Sequence, residues 1–242
     1  MSTSPDVWDR LAALVNLDEL ARSSTVSYGP DIPTEGELRL LGELRGRRVV
    51  ELGCGSGEIT VQMAKSGATC IGVDFSAGQL ANARKLAERE EVRLELRESD
   101  VADLVFLGAE SVDLVVAANT FAYVADVGRA LRQVHRVLKP RAAFVLTVPH
   151  PFTYAVSEEH GRVEVTKRLW DSDGVELSVG GERLTRYPHS ISGLIVQLQR
   201  ANFGVDQVLE VPALQDSRRS AWWNPVWDKV PALLAIRSRK EV

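Results

Sequence analysis

Three glycines at alternate positions, Gly53, Gly55 and Gly57, follow a short apolar run that begins at Arg47. An amphipathic segment, Glu58–Lys65, comes directly after the last of them. Glycine is needed where the backbone takes a positive φ, or where a ligand approaches more closely than a Cβ atom would allow. The pattern predicts a buried strand that turns tightly into a helix, whose first amide groups face the space above the turn. We expect a nucleotide-like or carboxylate-bearing cofactor to bind there.

The composition is that of a globular protein, with 45% hydrophobic and 26% charged residues among 242. The formal net charge of −4 provides no positive field for nucleic acid or an anionic membrane, so we expect neither as a partner. No apolar run has membrane-spanning length, and the first residues lack the features of a signal peptide. Two cysteines, Cys54 and Cys70, are too few for a disulfide framework or a zinc site. We therefore expect a cytoplasmic protein without a metal.

Runs of strand length alternate with segments of helical periodicity after the glycine turn. Strands are predicted at residues 69–74, 92–97, 112–118 and 142–148, with two closing strands at 205–211 and 232–237. Such strand–helix–strand units build a doubly wound, mostly parallel α/β sheet. Ligands of these sheets bind at the carboxyl ends of the strands. The glycine turn, Asp74, Asp100 and Asn119 all fall at such ends.

The flanking segments predict a cover for this core. Residues 6–21 have the apolar spacing of a helix that packs on the core or lies over its ligand site, and a capping box at Thr34 and Glu37 predicts a second helix through Leu44. Alternation between residues 163 and 179, around a turn at 171–174, predicts one β-hairpin. We divide the chain into amino-terminal helices (1–46), a cofactor-binding core (47–148), a cap (149–188), and a final helix with the last two strands (189–242).

Two cofactor classes use a strand, a glycine turn and a helix. The dinucleotide fingerprint requires Gly-x-Gly-x-x-Gly, but Glu58 or Thr60 stands where its third glycine belongs. A Glu58 carboxylate at the helix start would also face a pyrophosphate unfavourably. A nicotinamide-dependent oxidoreductase is therefore disfavoured.

The stretch from Glu51 to Gly57 resembles motif I of the class I S-adenosylmethionine-dependent methyltransferases. Further matches follow at successive strand ends: residues 74–75, residues 100–101 and residues 113–118. The resemblance covers residues 38–148 by motif and residues 190–239 by pattern. It implies a Rossmann-like, seven-stranded sheet with an antiparallel last strand, and S-adenosylmethionine as the cofactor.

This resemblance implies roles for individual residues. It places the ribose hydroxyls on Asp74, the adenine ring against Phe75, and the adenine edge on Asp100 and the Val101 amide. Glu51 either orients the turn or reaches the methionine amine. The predicted cofactor contacts are Tyr28, Glu51, Gly53, Cys54, Gly55, Gly57, Asp74, Phe75, Gln79, Asp100, Val101, Ala118 and Asn119. Tyr28 either closes over the cofactor or packs in the core, and Cys54 is interpreted as a small packing residue.

Two residues are candidates for catalysis. His150 lies between two prolines after the fifth predicted strand, where it either acts as a general base or braces a turn. Tyr123 is a weaker candidate. Ala118 and Ala122 stand where many relatives carry a polar group, so a non-catalytic binding module is the alternative hypothesis.

The interpretation that the sequence favours is a methyltransferase that acts on an O, N or C nucleophile of a small-molecule acceptor, as a monomer or homodimer. The loop after residue 212 carries three tryptophans, Trp222, Trp223 and Trp227. We expect them either to fill the core or to line an acceptor site.

Overall fold

The computed structural model describes residues 4–20, 25–168, 173–215, 219–220 and 223–242. The strands in these ranges are β1 (Arg48–Leu52), β2 (Thr69–Asp74), β3 (Leu94–Glu98), β4 (Val112–Ala118), β5 (Leu138–Pro149), β6 (Val156–Glu159), β7 (Arg162–Val165), β8 (Val175–Val179), β9 (Glu182–Arg186), β10 (Phe203–Val211) and β11 (Leu233–Lys240). The α-helices are α1 (Pro5–Ala12), α2 (Glu35–Leu38), α3 (Glu58–Lys65), α4 (Ala77–Arg89), α5 (Val127–Val137), α6 (Phe152–Ala155) and α7 (Ile191–Arg200). Short 3₁₀ turns occupy Leu17–Glu19, Thr120–Tyr123 and Pro225–Asp228.

The central sheet of the described residues has seven strands in the order β10-β11-β5-β4-β1-β2-β3. The strands from β3 to β5 pair in parallel, whereas β11 pairs antiparallel with both β5 and β10. This order confirms the predicted doubly wound fold and the antiparallel last strand. The order in which strands are added reverses between β1 and β4: β2 and β3 follow on one side of β1, and β4 and β5 lie on the other. Ligands of such sheets bind beside that point.

Successive residues of the strands pack on opposite faces of the sheet, as the two-residue period requires. Val50 belongs to the buried cluster that includes Leu131 and Val134 of α5. Its neighbour Val49 belongs to the cluster on the other face, together with Met63 of α3. The near-continuous apolar runs of the central strands therefore follow from burial on both sides.

The second amino-terminal helix is much shorter than the sequence pattern predicts. α2 ends at Leu38, and Arg39 takes a left-handed φ of 52°. The Glu35 carboxylate accepts hydrogen bonds from the amides of Leu40 (3.0 Å) and Leu41 (2.7 Å). It also accepts one from the Tyr28 hydroxyl (2.7 Å). These bonds satisfy amides that a longer helix would have paired, so the leucines enter the core from an irregular segment.

The first helix also differs from its prediction over residues 6–21. α1 ends at Ala12, and residues 21–24 lie outside the described ranges. Asp9 of α1 accepts hydrogen bonds from the Ser76 hydroxyl (2.6 Å) and the Gly78 amide (2.8 Å). Arg10 forms a bidentate ion pair with Glu182 of β9, with both N···O distances at 2.7 Å. The helix thereby connects the start of α4 to β9.

The prediction of one hairpin between residues 163 and 179 is wrong. Strand β7 pairs with β6, and β8 pairs with β9, so two hairpins occupy this region. Gly180 and Gly181 both take positive φ (57° and 85°), which suits a two-residue hairpin turn. Residues 171 and 172 of the expected turn lie outside the described ranges.

Among the helices described, none is both long enough and apolar enough to cross a bilayer.

We expect Glu35→Ala to lower the free energy of unfolding by about 3 kcal/mol, because it leaves two amides and a buried hydroxyl without their charged acceptor. The control Glu37→Ala removes the carboxylate that accepts the Thr34 amide, and should cost about 1 kcal/mol. Urea denaturation followed by tryptophan fluorescence measures both. Equal losses for the two variants would show that Glu35 does not anchor this segment.

Candidate active site

The glycine turn lies where β1 ends, beside β2. Gly53, Gly55 and Gly57 all take positive φ, at 64°, 52° and 84°. The Cys54 amide donates to the Val73 carbonyl of β2 at 3.0 Å, which holds the turn against the neighbouring strand. Helix α3 begins directly after the turn, as predicted.

Asp74 connects the glycine turn to the second strand. One carboxylate oxygen accepts from the Gly55 amide at 2.8 Å, and the other accepts from the Ser76 amide at 2.9 Å. The side chain is buried, and this burial raises the pKa of Asp74 while the amide hydrogen bonds oppose the rise. Each oxygen keeps a further lone pair for a ligand donor.

The three glycines are required for different reasons. A Cβ on Gly53 would come within 2.4 Å of the Thr120 side chain, and one on Gly57 within 2.8 Å of the Ala83 Cβ. A Cβ on Gly55 would meet only Gln79, at 3.7 Å. Gly53 and Gly57 therefore permit close packing of the protein on itself, whereas the space above Gly55 is open for a ligand.

Glu51, the last acid before the turn, lies fully inside the protein. It accepts a hydrogen bond from the Thr60 hydroxyl of α3. Burial, reinforced by the charges of Asp74 and Glu58, raises its pKa from 4.5 to about 8, against the effect of the Thr60 bond. A cation in this region would favour the ionised form of Glu51.

Asn119 brings an unpartnered polar atom to the end of β4. Its backbone takes a left-handed φ of 59°, and its amide nitrogen donates to the Tyr28 carbonyl at 3.2 Å. Its side-chain oxygen is buried and has no hydrogen-bond partner. Since buried acceptors are rarely left unpaired, this oxygen is suited to accept a hydrogen bond from a ligand. Ala118, directly before it, is half-buried.

The remaining predicted cofactor residues lie at the ends of β2 and β3. Phe75 is half-buried, and Gln79 accepts from the Ser56 hydroxyl across the glycine turn at 2.7 Å. Asp100 is exposed and accepts the Ala102 amide at 2.7 Å, while Val101 is buried. These placements leave the Asp100 carboxylate accessible to a ligand.

Cys54 and Tyr28 have packing positions. The Cys54 sulfur lies 2.8 Å from where a Cβ on Gly72 would stand, so the thiol fills the space above that glycine, and burial raises its pKa far above the usual range. The Tyr28 ring is buried in the cluster with Met63, and its hydroxyl is bound to Glu35. Tyr28 reaches the site only through its carbonyl, which supports the packing role that the sequence left open.

His150 is positioned as a brace. Its side chain is 0% exposed, its Nε2 lies 2.9 Å from the Glu210 carboxylate, and its Nδ1 accepts from the Phe152 amide at 3.3 Å. Burial lowers its pKa, although Glu210 opposes this. Both ring nitrogens are engaged, so the geometry does not support its predicted role as a general base, and supports the alternative of a braced turn.

Tyr123 lies on the site side of the fold. It ends the 3₁₀ turn after β4, whose Thr120 hydroxyl donates to the Leu52 carbonyl at 2.7 Å, beside the glycine turn. The Tyr123 hydroxyl accepts from Arg186 of β9 at 3.0 Å. The sequence pattern does not point to Thr120 or Arg186, because a lone arginine in a hairpin is no sign of a functional site.

Within the described ranges, no group of three or more metal-ligating side chains occurs.

Comparisons with known proteins agree with this geometry. Residues 50–146 match the family model described as a methyltransferase domain. A solved S-adenosylmethionine dependent methyltransferase from Mesorhizobium loti is 26% identical, with a TM-score of 0.70 over 93% of this chain and 100% of that one. These likenesses support the resemblance to the class I S-adenosylmethionine-dependent methyltransferases that the motifs indicate.

Two further proteins that resemble this chain have named acceptors or pathways. A ubiquinone biosynthesis O-methyltransferase of Azorhizobium caulinodans is 32% identical over 111 residues, which are 46% of this chain and 44% of that protein. The chain thus matches less than half the length of this curated relative. The 1,6-didemethyltoxoflavin-N1-methyltransferase of Burkholderia thailandensis shares the fold, with a TM-score of 0.56 and 19% identity over 85% of this chain and 76% of that one.

The site fits the cofactor of this family. Adenosine hydroxyls and an amino group are donors, and the strand ends present acceptors: the Asp74 carboxylate, the exposed Asp100 carboxylate and the unpartnered Asn119 oxygen. The sulfonium and ammonium charges are positive; the Asp74 carboxylate complements them, and their charge would favour the ionised form of Glu51. The open space above Gly55 leaves room for close approach.

We expect Gly53→Ala to destabilise the protein much more than Gly46→Ala. Both residues take positive φ, which costs an alanine about 1 kcal/mol or slightly more, but a Cβ at Gly46 meets nothing within 4 Å. The clash with Thr120 should add roughly 2 kcal/mol at Gly53. Chemical denaturation of both variants measures the difference, and equal losses would contradict the close packing of Thr120.

The raised pKa of Glu51 predicts a pH-dependent stability. Between pH 4.5 and about 8 the folded protein keeps a proton that the unfolded chain loses, so stability falls as pH rises through this window. Glu51→Gln should therefore be the more stable protein at pH 8, by roughly 3 kcal/mol, with little difference near pH 4.5. Thermal unfolding at several pH values measures this, with the exposed Glu88→Gln as the control. A pH profile unchanged by Glu51→Gln would contradict the prediction.

Proposed function

We propose that the protein is an enzyme that transfers the methyl group of S-adenosylmethionine to an O, N or C nucleophile of a small molecule. The observation that carries the proposal is the contact between the Asp74 carboxylate and the Gly55 amide, made beside the point where the sheet reverses direction. The strand ends on either side of this contact carry Asp100 and Asn119, which supply the acceptors that the cofactor needs.

The cofactor, when bound, supplies a methyl carbon that its sulfonium makes electrophilic. The protein's residues then have to hold the cofactor, orient the acceptor in line and exclude water. Asp74 and Asp100 are placed to accept hydrogen bonds from hydroxyl or amino donors, and Asn119 to accept one more. The Asp74 carboxylate contributes negative charge for a cationic ligand, whose own charge would favour the ionised form of Glu51.

A small-molecule acceptor is favoured by what covers the strand ends. α1 is bound to the start of α4 through Asp9 and to β9 through Arg10, so a helix and a hairpin together limit access. The names of the relatives, ubiquinone biosynthesis O-methyltransferase and didemethyltoxoflavin N1-methyltransferase, support an acceptor of this size. We retain residues 149–188 as the acceptor-side cap, and a monomer or homodimer without a nucleic-acid partner.

Proton removal from the acceptor receives little help from histidine. Both nitrogens of His150 are engaged, and Nε2 of His189 lies within hydrogen-bonding distance of the carbonyls of Phe121 (3.0 Å) and Val124 (3.1 Å). We therefore assign catalysis mainly to positioning, with an acceptor atom that is nucleophilic without a histidine base. Tyr123, in the 3₁₀ turn that follows β4, remains the candidate side chain.

Calorimetric titration tests cofactor binding. We expect S-adenosylmethionine and S-adenosylhomocysteine to bind, and Asp100→Ala to weaken them about tenfold by removing a charged acceptor. The Asp100 carboxylate is exposed and accepts only the Ala102 amide among the described residues, so the variant should fold. Asp103→Ala, three residues on and also exposed, is the matched control.

Transfer of labelled methyl groups to a metabolite panel tests the enzymatic step. Absence of binding by both cofactor forms would refute the proposal. Tight binding with no transfer to any acceptor would favour the alternative of a non-catalytic binding module.

A further inference from the structure

A positively charged side chain lies between aromatic rings on the acceptor side of the site. The Arg186 guanidinium, at the end of β9, lies 5.5 Å from the centre of the Tyr123 ring and 5.7 Å from that of Tyr154. Trp8 of α1 packs edge-on against Tyr123, with ring centres 5.0 Å apart. Four side chains from four separate segments thus form one cluster, which we call the arginine cluster: Trp8, Tyr123, Tyr154 and Arg186.

The arginine cluster has more hydrogen-bond donors than acceptors. Nη2 of Arg186 donates to the Tyr123 hydroxyl, but its Nε is buried and unpartnered. The Trp8 indole nitrogen is also buried and unpartnered, and the buried Tyr154 hydroxyl lies beside the Arg186 guanidinium, which cannot accept its proton. Burial raises the pKa of Tyr154 to about 12, so its hydroxyl keeps its proton at neutral pH. Three donors from three segments therefore lack acceptors.

The charge of Arg186 is also uncompensated. Among the ion pairs of the described residues, none joins Arg186 to a carboxylate. Neighbouring Arg10 on α1, by contrast, is fully paired with Glu182 of the same hairpin. Burying a guanidinium without an anion is costly, and such a cost is expected where a ligand supplies the anion.

The position of the cluster connects it to the methyl-transfer site. Tyr123 lies three residues beyond Thr120, whose hydroxyl contacts the end of β1. The Tyr187 amide donates to the Ala122 carbonyl at 2.7 Å, which fixes Arg186 against the segment that follows β4. Trp8 lies on α1, whose Asp9 is bound to the start of α4. The cluster therefore borders the same strand ends as the cofactor residues.

We propose that the acceptor is a carboxylate-bearing small molecule whose anion pairs with Arg186, with Tyr154 and Trp8 as further donors. The planar guanidinium matches a carboxylate by two parallel hydrogen bonds, and the rings of Trp8, Tyr123 and Tyr154 suit an aromatic or otherwise flat apolar body. This inference rests on the proposed function, because it names the acceptor class of the same site.

The test compares acids with their neutral amides on the protein loaded with S-adenosylhomocysteine. The probes are benzoate, phenylacetate and indole-3-acetate, each paired with its amide, together with phenylphosphonate; binding is followed by saturation-transfer NMR and titration. We expect at least one acid to bind about tenfold or more tightly than its amide, and Arg186→Gln to abolish that preference. Arg183→Gln, an exposed arginine of the same strand, should leave it unchanged.

Arg186→Lys keeps the charge but loses the planar fork, so it should retain only part of the preference and provides a second variant should Arg186→Gln fail to fold. The proposal is overturned if no acid binds better than its amide, if the preference survives Arg186→Gln, or if phenylphosphonate binds more tightly than every carboxylate. Binding of S-adenosylhomocysteine is measured first in each variant. Its absence from the wild-type protein would refute the proposed function, whereas its presence without a preference for acids would refute this inference alone.

Discussion

The two hydrogen bonds accepted by the Asp74 carboxylate organise the site. They join the amide of the glycine turn to the amide that precedes α4, so the ends of β1 and β2 are held by one side chain. The Ser76 hydroxyl donates a hydrogen bond to Asp9 of α1, which links α1 to the same network. The turn, the second strand and the covering helix therefore depend on a single buried carboxylate. Its burial is offset by charge-assisted bonds from backbone amides.

The electrostatics of the site are divided between its two sides. Glu51 and Asp74 are buried acids on the cofactor side, and burial raises the pKa of each; the charge of a bound cation would favour the ionised form of Glu51. The arginine cluster makes the acceptor side cationic and rich in donors. A cationic methyl donor and an anionic acceptor would each meet complementary charge, and their attraction would bring the reacting atoms together. On each side, polar atoms remain without a hydrogen-bond partner in the protein, which is typical of a surface that binds ligands.

Much of the fold could be predicted because the relevant signals are local. The apolar runs, the alternate glycines and the Ser76 cap of α4 each depend on residues within one turn or one strand. The short α2 could not be predicted, because it depends on a carboxylate that competes for the amides of Leu40 and Leu41. Gly180 and Gly181 are a recognisable turn signal for the hairpin of β8 and β9. The alternation of valines around residues 171–174 indicates a single hairpin instead, although β7 and β8 pair with other strands.

The candidate site divides in the same way. Asp74, Asp100 and Asn119 are found from their place at strand ends, which the sequence pattern shows. The sequence leaves the role of His150 open because its partner, Glu210, is 60 residues away on β10. Arg186 is overlooked for the same reason, since its meaning comes from Tyr123, Tyr154 and Trp8, which only the tertiary structure brings together. Side chains whose roles come from distant partners remain beyond pattern analysis.

A crystal structure with S-adenosylhomocysteine tests the central claim most directly. The ligand should lie at the carboxyl ends of β1, β2 and β4, against the Asp74 carboxylate and above Gly55, and the unpartnered oxygen of Asn119 should acquire a donor. A ligand bound elsewhere, or one that leaves both Asp74 and Asn119 without contact, would contradict this view of the site.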